Sequence, residues 1–303
     1  MSSKNILTIV ASPFITAAVA ALFFLAITSE KPEVPERPLS TPQIVSESQF
    51  GQILSIATTS AQQAVSQPTP GEQAQTKNPF LQGEVKLALL GDSMVDTMGD
   101  LKTLELALSQ YFPNVKFRLL NYGVGSTPVE SGLKRLSEGF RNHDQDFPSL
   151  FSQNPDIIIV ESFAYNHPLA TPEDITQYKN TLNQVINEIR SKNITPLLLV
   201  TIGPNSETFA QGAPGINWSP EQKKIATEEI RAFLEVAIDV AKSSGIPLID
   251  AYHPSLDING NGKQIFINPG DNIHPSQAGI ELVSDLITQK LKELSIIEQA
   301  LSP

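Results

Sequence analysis

The feature that most constrains the fold is a series of short apolar runs that alternate with longer amphipathic stretches from residue 81 onward. The runs are continuously apolar and do not alternate with polar residues, so they predict strands buried on both faces. The clearest is Asp156–Val160, because it is almost entirely β-branched. The predicted strands are Val85–Leu90, Val115–Leu120, Asp156–Val160, Leu197–Thr201 and Ile246–Ile249.

The stretches between these strands carry the signals of helices. Thr171 and Ser219 each precede a proline and a glutamate, a pattern typical of helix starts, and Gly245 marks the end of the second of these helices. Alternation of strands and helices predicts an α/β domain over residues 81–303, with a parallel sheet covered by helices. The predicted helices are Asp100–Tyr111, Ser131–Arg141, Thr171–Lys192, Ser219–Lys242 and Ser276–Ile297.

The first 80 residues have a different character. Asn5–Ser29 carries no charge, and about 20 apolar residues suffice to cross a bilayer. The stretch is long for the core of a signal peptide, which favours a membrane anchor over residues 1–30, and Lys4 before it and Glu30 after it place the rest of the chain outside the cytoplasm. A cleaved signal peptide, which would make the protein secreted, is the alternative. Residues 31–80 are rich in Pro, Ser and Gln and predict a flexible linker.

Composition narrows the classes of function. A net charge of −11 argues against a nucleic-acid partner, which would require a basic face. The chain has no cysteine, so thiolate catalysis, disulfides and cysteine zinc sites are excluded. No cofactor and no metal are expected. Asp257-x-Asn259-x-Asn261-Gly262 matches the opening of a calcium loop, but Asn268 stands where a glutamate is expected, so an Asn/Gly-rich turn is favoured.

Residues suited to nucleophilic catalysis follow the predicted strand ends, where parallel sheets place their ligand sites. Ser93 follows the first strand, and a serine needs a base, most often histidine. Asp250-x-x-His253-Pro and Asp271-x-x-His274-Pro both have a spacing that lets a carboxylate bind the imidazole Nδ1. The spacing alone does not choose between the two pairs. We favour Asp271 and His274, because Asp250 directly ends a strand and His274 lies in a loop before a helix.

An oxyanion needs hydrogen-bond donors close to the nucleophile. Gly123 and Gly125 follow the second strand, where glycine lets a backbone N–H approach a ligand closely. Asn166 follows the third strand and offers a side-chain amide. His143 lies in a polar stretch that is typical of a solvated loop.

Together these segments resemble the sequence blocks of the SGNH (GDSL-type) hydrolases. Gly91-Asp92-Ser93-Met94 resembles the first block, and Asp271-x-x-His274-Pro275 resembles the last. Gly125, in preference to Gly123, resembles the oxyanion glycine of the second block, and Asn166 resembles the asparagine of the third.

The resemblance implies a compact, flavodoxin-like three-layer α/β/α domain that hydrolyses esters. By this resemblance Ser93 would attack the acyl carbon, His274 would act as base and then acid, and Asp271 would orient His274. The N–H groups of Ser93 and Gly125 would hold the oxyanion, together with the Asn166 amide.

Asp92 and His167 are the remaining candidate site residues, as contacts of the substrate. His167 stands where the third block of the family usually has an aspartate, and a loop histidine with no such role is the alternative. We therefore expect a membrane-anchored, extracytoplasmic serine esterase that acts on an acylated small molecule, polysaccharide or lipid. An O-acyltransferase with the same triad, or a catalytically inactive binding module with the same fold, are the alternatives.

Overall fold

A computed structural model describes residues 83–167 and 169–301 of the chain. The anchor predicted at residues 1–30 and the linker predicted at residues 31–80 lie outside the described residues. Within the two described ranges, no helix has both the length and the apolar character that a membrane span requires.

Seven strands occur in the described part of the chain, and five of them form one sheet. The order of that sheet is β2–β1–β5–β6–β7, and every neighbouring pair is parallel. Each of the five apolar runs forms one of its strands, so the predicted parallel sheet is confirmed. The seven strands are β1 (Gly83–Gly91), β2 (Val115–Gly123), β3 (Phe140–Asn142), β4 (Gln145–Phe147), β5 (Ile157–Glu161), β6 (Thr195–Val200) and β7 (Leu248–Asp250).

Helices cover both faces of this sheet. The α-helices of the described residues are α1 (Ser93–Asp96), α2 (Lys102–Tyr111), α3 (Val129–Ser137), α4 (Pro172–Ser191), α5 (Pro220–Ser244), α6 (Tyr252–Ser255), α7 (Gln277–Glu293) and α8 (Ile296–Ala300). Helices α3, α4 and α5 pack on one face, against strand residues such as Ile158 and Leu198. Helices α2 and α7 pack on the other face, against the adjacent strand residues Ile157 and Leu197. The expected three-layer α/β/α architecture is confirmed.

The order of the strands creates a reversal of winding at the carboxyl end of β1. The chain passes from β1 to β2 on one side and then returns to β5 on the other, so the winding direction reverses between β1 and β5. Such a reversal separates the connecting loops and leaves room for a ligand at the strand ends. The two strands are in register there, with Leu90 opposite Val160.

Local signals determine where the long helices begin and end. Thr171 caps α4 by accepting the N–H of Asp174, and Ser219 caps α5 in a reciprocal pair with Gln222. Helix α5 stops at Gly245, which has the positive φ of 60° that glycine adopts at little cost. These predicted helix ends are confirmed.

Two predicted helices have different bounds in the structure. The helix expected at Ser131–Arg141 ends at Ser137, and the chain then forms the antiparallel hairpin of β3 and β4. Its turn residues His143 and Asp144 both have positive φ, as a tight two-residue hairpin turn requires. His143 is exposed, as expected for a solvated loop, but its Nε2 lies 3.1 Å from each carboxylate oxygen of Asp96. The last predicted helix breaks at Ser295, which separates α7 from α8.

Candidate active site

Ser93 lies in the tight turn between strand β1 and helix α1. A side chain at Gly91 would press against Val95 and would place its Cβ 2.9 Å from Glu161 Cβ, so only glycine fits there. Asp92 caps the helix, with its Oδ1 accepting the N–H of Met94 at 2.8 Å. Ser93 is therefore the first residue of a helix, where backbone N–H groups lack partners within the helix.

The loop before α7 holds Asp271 and His274 together. Asp271 Oδ2 lies 2.9 Å from His274 Nδ1, while Oδ1 accepts the backbone N–H groups of Ile273 at 2.8 Å and of His274 at 3.1 Å. Burial raises the pKa of Asp271, but the hydrogen bonds from His274 and the backbone outweigh it and leave the pKa below its ordinary value. An ionised Asp271 fixes the imidazole ring and leaves Nε2 as the nitrogen that can act as base.

The competing pair, Asp250 and His253, has the same local geometry. Asp250 Oδ2 lies 2.7 Å from His253 Nδ1. The surroundings of the two histidines differ, however. His253 Nε2 faces the carboxylate of Glu235 at 3.7 Å, and its side chain is 54% exposed, against 25% for His274. These contacts favour His274 as the candidate base.

His274 lies close enough to the strand end that carries Ser93 to act on it electrostatically. Burial raises the pKa of Asp92, the residue before Ser93, and the charge of His274 acts in the opposite direction. Among the described residues, His274 is hydrogen-bonded to Asp271 through its backbone N–H and its Nδ1, and its carbonyl oxygen accepts the N–H of Asn268. Within the same described ranges, its Nε2 makes no hydrogen bond to Ser93 Oγ. Catalytic hydrogen bonds often form fully only in the complex with substrate. The triad of Ser93, His274 and Asp271 stays a prediction.

The two glycines after β2 have different surroundings. A Cβ on Gly123 would collide with the backbone of Asp96, and the N–H of Gly123 already donates to Asn121 Oδ1 at 2.8 Å. A Cβ on Gly125 would lie 4.0 Å from Ser93 Cβ, so the Gly125 backbone borders Ser93. These contacts favour Gly125 over Gly123 as an oxyanion donor.

Asn166 is tied directly to the segment that carries Ser93. It ends the short 3₁₀ helix Ala164–Asn166 after β5, and its Nδ2 donates to Asp92 Oδ2 at 2.7 Å. An amide nitrogen carries two hydrogens, so this bond uses one and leaves the other for an oxyanion.

The burial of Asp92 gives no support to the expectation that it contacts substrate, which stays a prediction. Its side chain is fully buried and accepts hydrogen bonds from Met94 and Asn166. Burial raises the pKa of Asp92, although these hydrogen bonds, a hydrogen bond with Glu161 and the charge of His274 act in the opposite direction. Asp92 is a buried support of the site.

His167 does not lie free in a loop either. Its ring centroid is 4.7 Å from that of Tyr178 and 4.9 Å from that of Phe233, two fully buried aromatic residues. Its Nε2 is buried and has no hydrogen-bond partner among the described residues. Burial lowers the pKa of His167. These contacts make His167 part of the aromatic packing, and they give no support to a contact with substrate.

Arg135 supports the site but was missed in the sequence. This nearly buried guanidinium on α3 donates to the carbonyl oxygens of Tyr122 at 2.6 Å and Gly91 at 3.0 Å. It therefore clamps the ends of the two strands that lead to Ser93 and Gly125. Burial lowers its pKa to about 10. The available signal in the sequence was that Arg135 lies next to Leu136 on an amphipathic helix. An arginine on such a helix usually faces solvent, so this position gave no reason to expect Arg135 at the site.

Metal-ligating side chains do not cluster in the described part of the chain. Residues 83–167 and 169–301 contain no group of three or more His, Asp or Glu side chains that could hold a metal ion. In the loop that resembles a calcium site, Asp257 Oδ1 accepts the N–H groups of Asn259 and Asn261. Asn261 Oδ1 in turn accepts hydrogen bonds from Ser206 and Arg231. These contacts are those of an Asx-type turn, the favoured interpretation.

The family comparison covers most of the domain that carries these residues. The chain matches the model of the GDSL-like Lipase/Acylhydrolase family over residues 89–282. No curated protein matches it.

Solved structures that are similar to this chain include a lipase/acylhydrolase from Enterococcus faecalis. It is 20% identical, with 69% of this chain and 96% of that chain covered and a TM-score of 0.51. A GDSL-like lipase from Bacteroides thetaiotaomicron is 16% identical, with 69% of this chain and 88% of that chain covered and a TM-score of 0.49. An acetylxylan esterase from Geobacillus stearothermophilus is 16% identical, with coverages of 69% and 94% and a TM-score of 0.46.

The family match runs from the end of β1 into α7, and so includes every candidate site residue from Ser93 to His274. It confirms the resemblance drawn from the sequence blocks. The chain belongs to the GDSL-like lipase/acylhydrolase family.

Proposed function

We propose that this chain is a serine esterase that hydrolyses O-acyl esters with Ser93, His274 and Asp271. The observation that supports this most is the Asp271–His274 pair. Its carboxylate fixes one ring nitrogen at 2.9 Å and leaves the other nitrogen free to act as base. Family membership adds the reaction class, since acylhydrolases cleave acyl bonds with water.

The reaction would proceed in two halves. Ser93 Oγ attacks the acyl carbon while His274 Nε2 takes its proton. The imidazolium then gives this proton to the departing alcohol, which leaves an acyl-serine. Water attacks the acyl-serine while His274 takes a proton from the water, and the imidazolium returns that proton to Ser93 Oγ as the acid departs. Throughout, the ionised Asp271 holds the ring in place and stabilises its positive charge.

The negative oxygen of each tetrahedral intermediate would be held by the N–H groups of Ser93 and Gly125 and by the Asn166 amide. The position of Gly125 beside Ser93 and the bond from Asn166 to Asp92 support this set. Loss of one such donor is expected to lower the rate by about 10²–10³-fold.

We further propose that the enzyme acts outside the cytoplasm on an acylated polysaccharide, lipid or small molecule. The support is the uncharged stretch Asn5–Ser29 and the Pro-rich residues 31–80, which as a coil would reach on the order of 40 Å from a membrane. N-terminal sequencing of the mature protein tests this proposal. A mature chain that begins at Met1 supports an anchor, one that begins near residue 30 supports secretion, and protection of the domain from protease added to intact cells contradicts both.

The catalytic proposal is tested with the purified full-length protein and short-chain nitrophenyl esters. We expect Ser93→Ala and His274→Ala to lower the rate by at least about 10³-fold. His253→Ala is the matched control, because His253 has the same bond to an aspartate three residues earlier. It should retain activity within about threefold of the wild type. Full activity of the Ser93 variant, or loss of activity in the His253 variant alone, would contradict the assignment.

The same preparations separate the alternatives. A fluorophosphonate probe should label the wild type and not Ser93→Ala, whereas an inactive binding module would leave both unlabelled. Transfer of the acyl group to an added glycan in preference to water would indicate an acyltransferase.

A further inference from the structure

Glu161 is a buried acid beside the candidate site that has no cationic partner within residues 83–167 and 169–301. It ends strand β5, next to the end of β1, and its side chain is fully buried. Its Oε1 accepts the hydroxyl of Ser162 at 2.5 Å and its Oε2 accepts the N–H of Phe163 at 2.8 Å. Among the described residues, no lysine, arginine or histidine forms an ion pair with it. A charged carboxylate in such a place is costly.

Glu161 and Asp92 lie at the same end of the neighbouring strands β5 and β1, and their fully buried side chains are hydrogen-bonded to each other. Two buried carboxyl groups in contact hold one proton between them, because both cannot be ionised there. Burial and then the charge of Asp92 raise the pKa of Glu161 well above its ordinary value. Asp92 is the better place for the negative charge, since it accepts the Asn166 amide at 2.7 Å and follows Gly91, whose carbonyl oxygen binds the buried guanidinium of Arg135 at 3.0 Å.

We propose that Glu161 is a positioning residue that stays protonated, donates its O–H to Asp92, and so fixes the carboxylate that holds the Asn166 amide toward the oxyanion. The proposal rests on the esterase function proposed above. It assigns a task to Asp92, whose side chain is fully buried. Asp92 Oδ2 restrains the amide of Asn166 at 2.7 Å, while Glu161 restrains Asp92 from the side of β5.

Two substitutions of Glu161 separate positioning from mere packing. Glu161→Gln keeps a neutral side chain of the same length with an N–H that can donate to Asp92. It should hold kcat within about threefold of the wild type. Glu161→Leu removes the donor, so kcat should fall by about 10²-fold, the loss expected when an oxyanion donor is misplaced, while KM stays within about threefold.

A double-mutant cycle tests whether the effect passes through Asn166. In the Asn166→Ala background the amide is already gone, so Glu161→Leu should cost less than about threefold more. Thermal melting of each variant identifies those that fold. Glu161→Asp, whose shorter carboxyl group withdraws from Asp92, replaces the leucine variant if that one does not fold.

Three results would overturn the proposal. They are wild-type kcat in the folded leucine or aspartate variant, an equal loss of kcat in Glu161→Gln, and a full 10²-fold further loss in the Asn166→Ala background. Failure of the esterase function itself is distinct, because it would appear as a wild-type protein without activity that depends on Ser93. That result would remove both proposals.

Discussion

Replacing His167 with phenylalanine is expected to stabilise the protein, and to do so more strongly at acidic pH. The imidazole packs against Tyr178 and Phe233, with ring centroids 4.7 and 4.9 Å away. Its Nε2 is buried without a hydrogen-bond partner among the described residues. A phenyl ring retains the aromatic contacts and removes the buried polar atom.

The magnitude has two parts. An unsatisfied buried polar atom costs about 1–3 kcal/mol, and the larger phenyl ring offsets some of the gain, so about 1 kcal/mol is expected at neutral pH. Burial lowers the pKa of His167, so below the unfolded pKa of about 6.5 the unfolded chain binds a proton that the folded protein does not. The free energy of unfolding then falls by up to about 1.4 kcal/mol per pH unit as the pH drops. The substitution removes this loss, which reaches at most about 2 kcal/mol at pH 5.

Urea or thermal unfolding at pH 7.5 and pH 5 measures this difference. For a domain of this size, 1 kcal/mol corresponds to a Tm change of about 2–4 °C. His253→Phe is the control, because His253 is more than half exposed and pairs with carboxylates, so it should show no gain at acidic pH. A His167 variant that melts at or below the wild-type temperature at pH 5 would refute the reasoning. A raised KM in that variant would restore the idea of a substrate contact.

Two further outcomes follow from the surroundings of the site. Gly123→Ala should destabilise the protein by about 1–3 kcal/mol or more, because its Cβ would lie 2.7 Å from Asp96 Cα. Gly125→Ala should change stability by less than about 0.5 kcal/mol, because the nearest contact of its Cβ is at 3.6 Å. Equal melting temperatures of the two variants would contradict this. Burial and the charge of Asp92 raise the pKa of Glu161, so wild-type stability is lost as the pH rises from about 4.5 through that raised pKa. Glu161→Gln lacks this proton and should gain stability relative to the wild type between pH 5 and pH 8; parallel pH profiles in urea unfolding would argue against the shared proton.

Much of the fold could be predicted because its signals are local. In runs such as Ile157–Val160, the residues that point to the two opposite faces of the strand are all apolar. Both faces must therefore be buried, which requires a parallel sheet between two layers of helices. Thr171 and Ser219 start helices because their side chains accept N–H groups only three residues away. The β3–β4 hairpin was missed, since its stability comes from Phe140 and Phe147 stacking beside Tyr122, a contact between segments distant in sequence.

The sequence by itself determined the layered α/β fold, the strand ends at which Ser93, Gly125 and Asn166 lie, and the family blocks that contain them. The sequence favoured His274 over His253 from its loop context, but only the tertiary structure showed what surrounds each ring, because the two identical spacings produce the same bond to an aspartate. The tertiary structure also decided that Asp92 is buried and paired with Glu161. The physical reason is that a spacing determines contacts within one turn of chain, whereas burial and charge depend on which distant segments pack together.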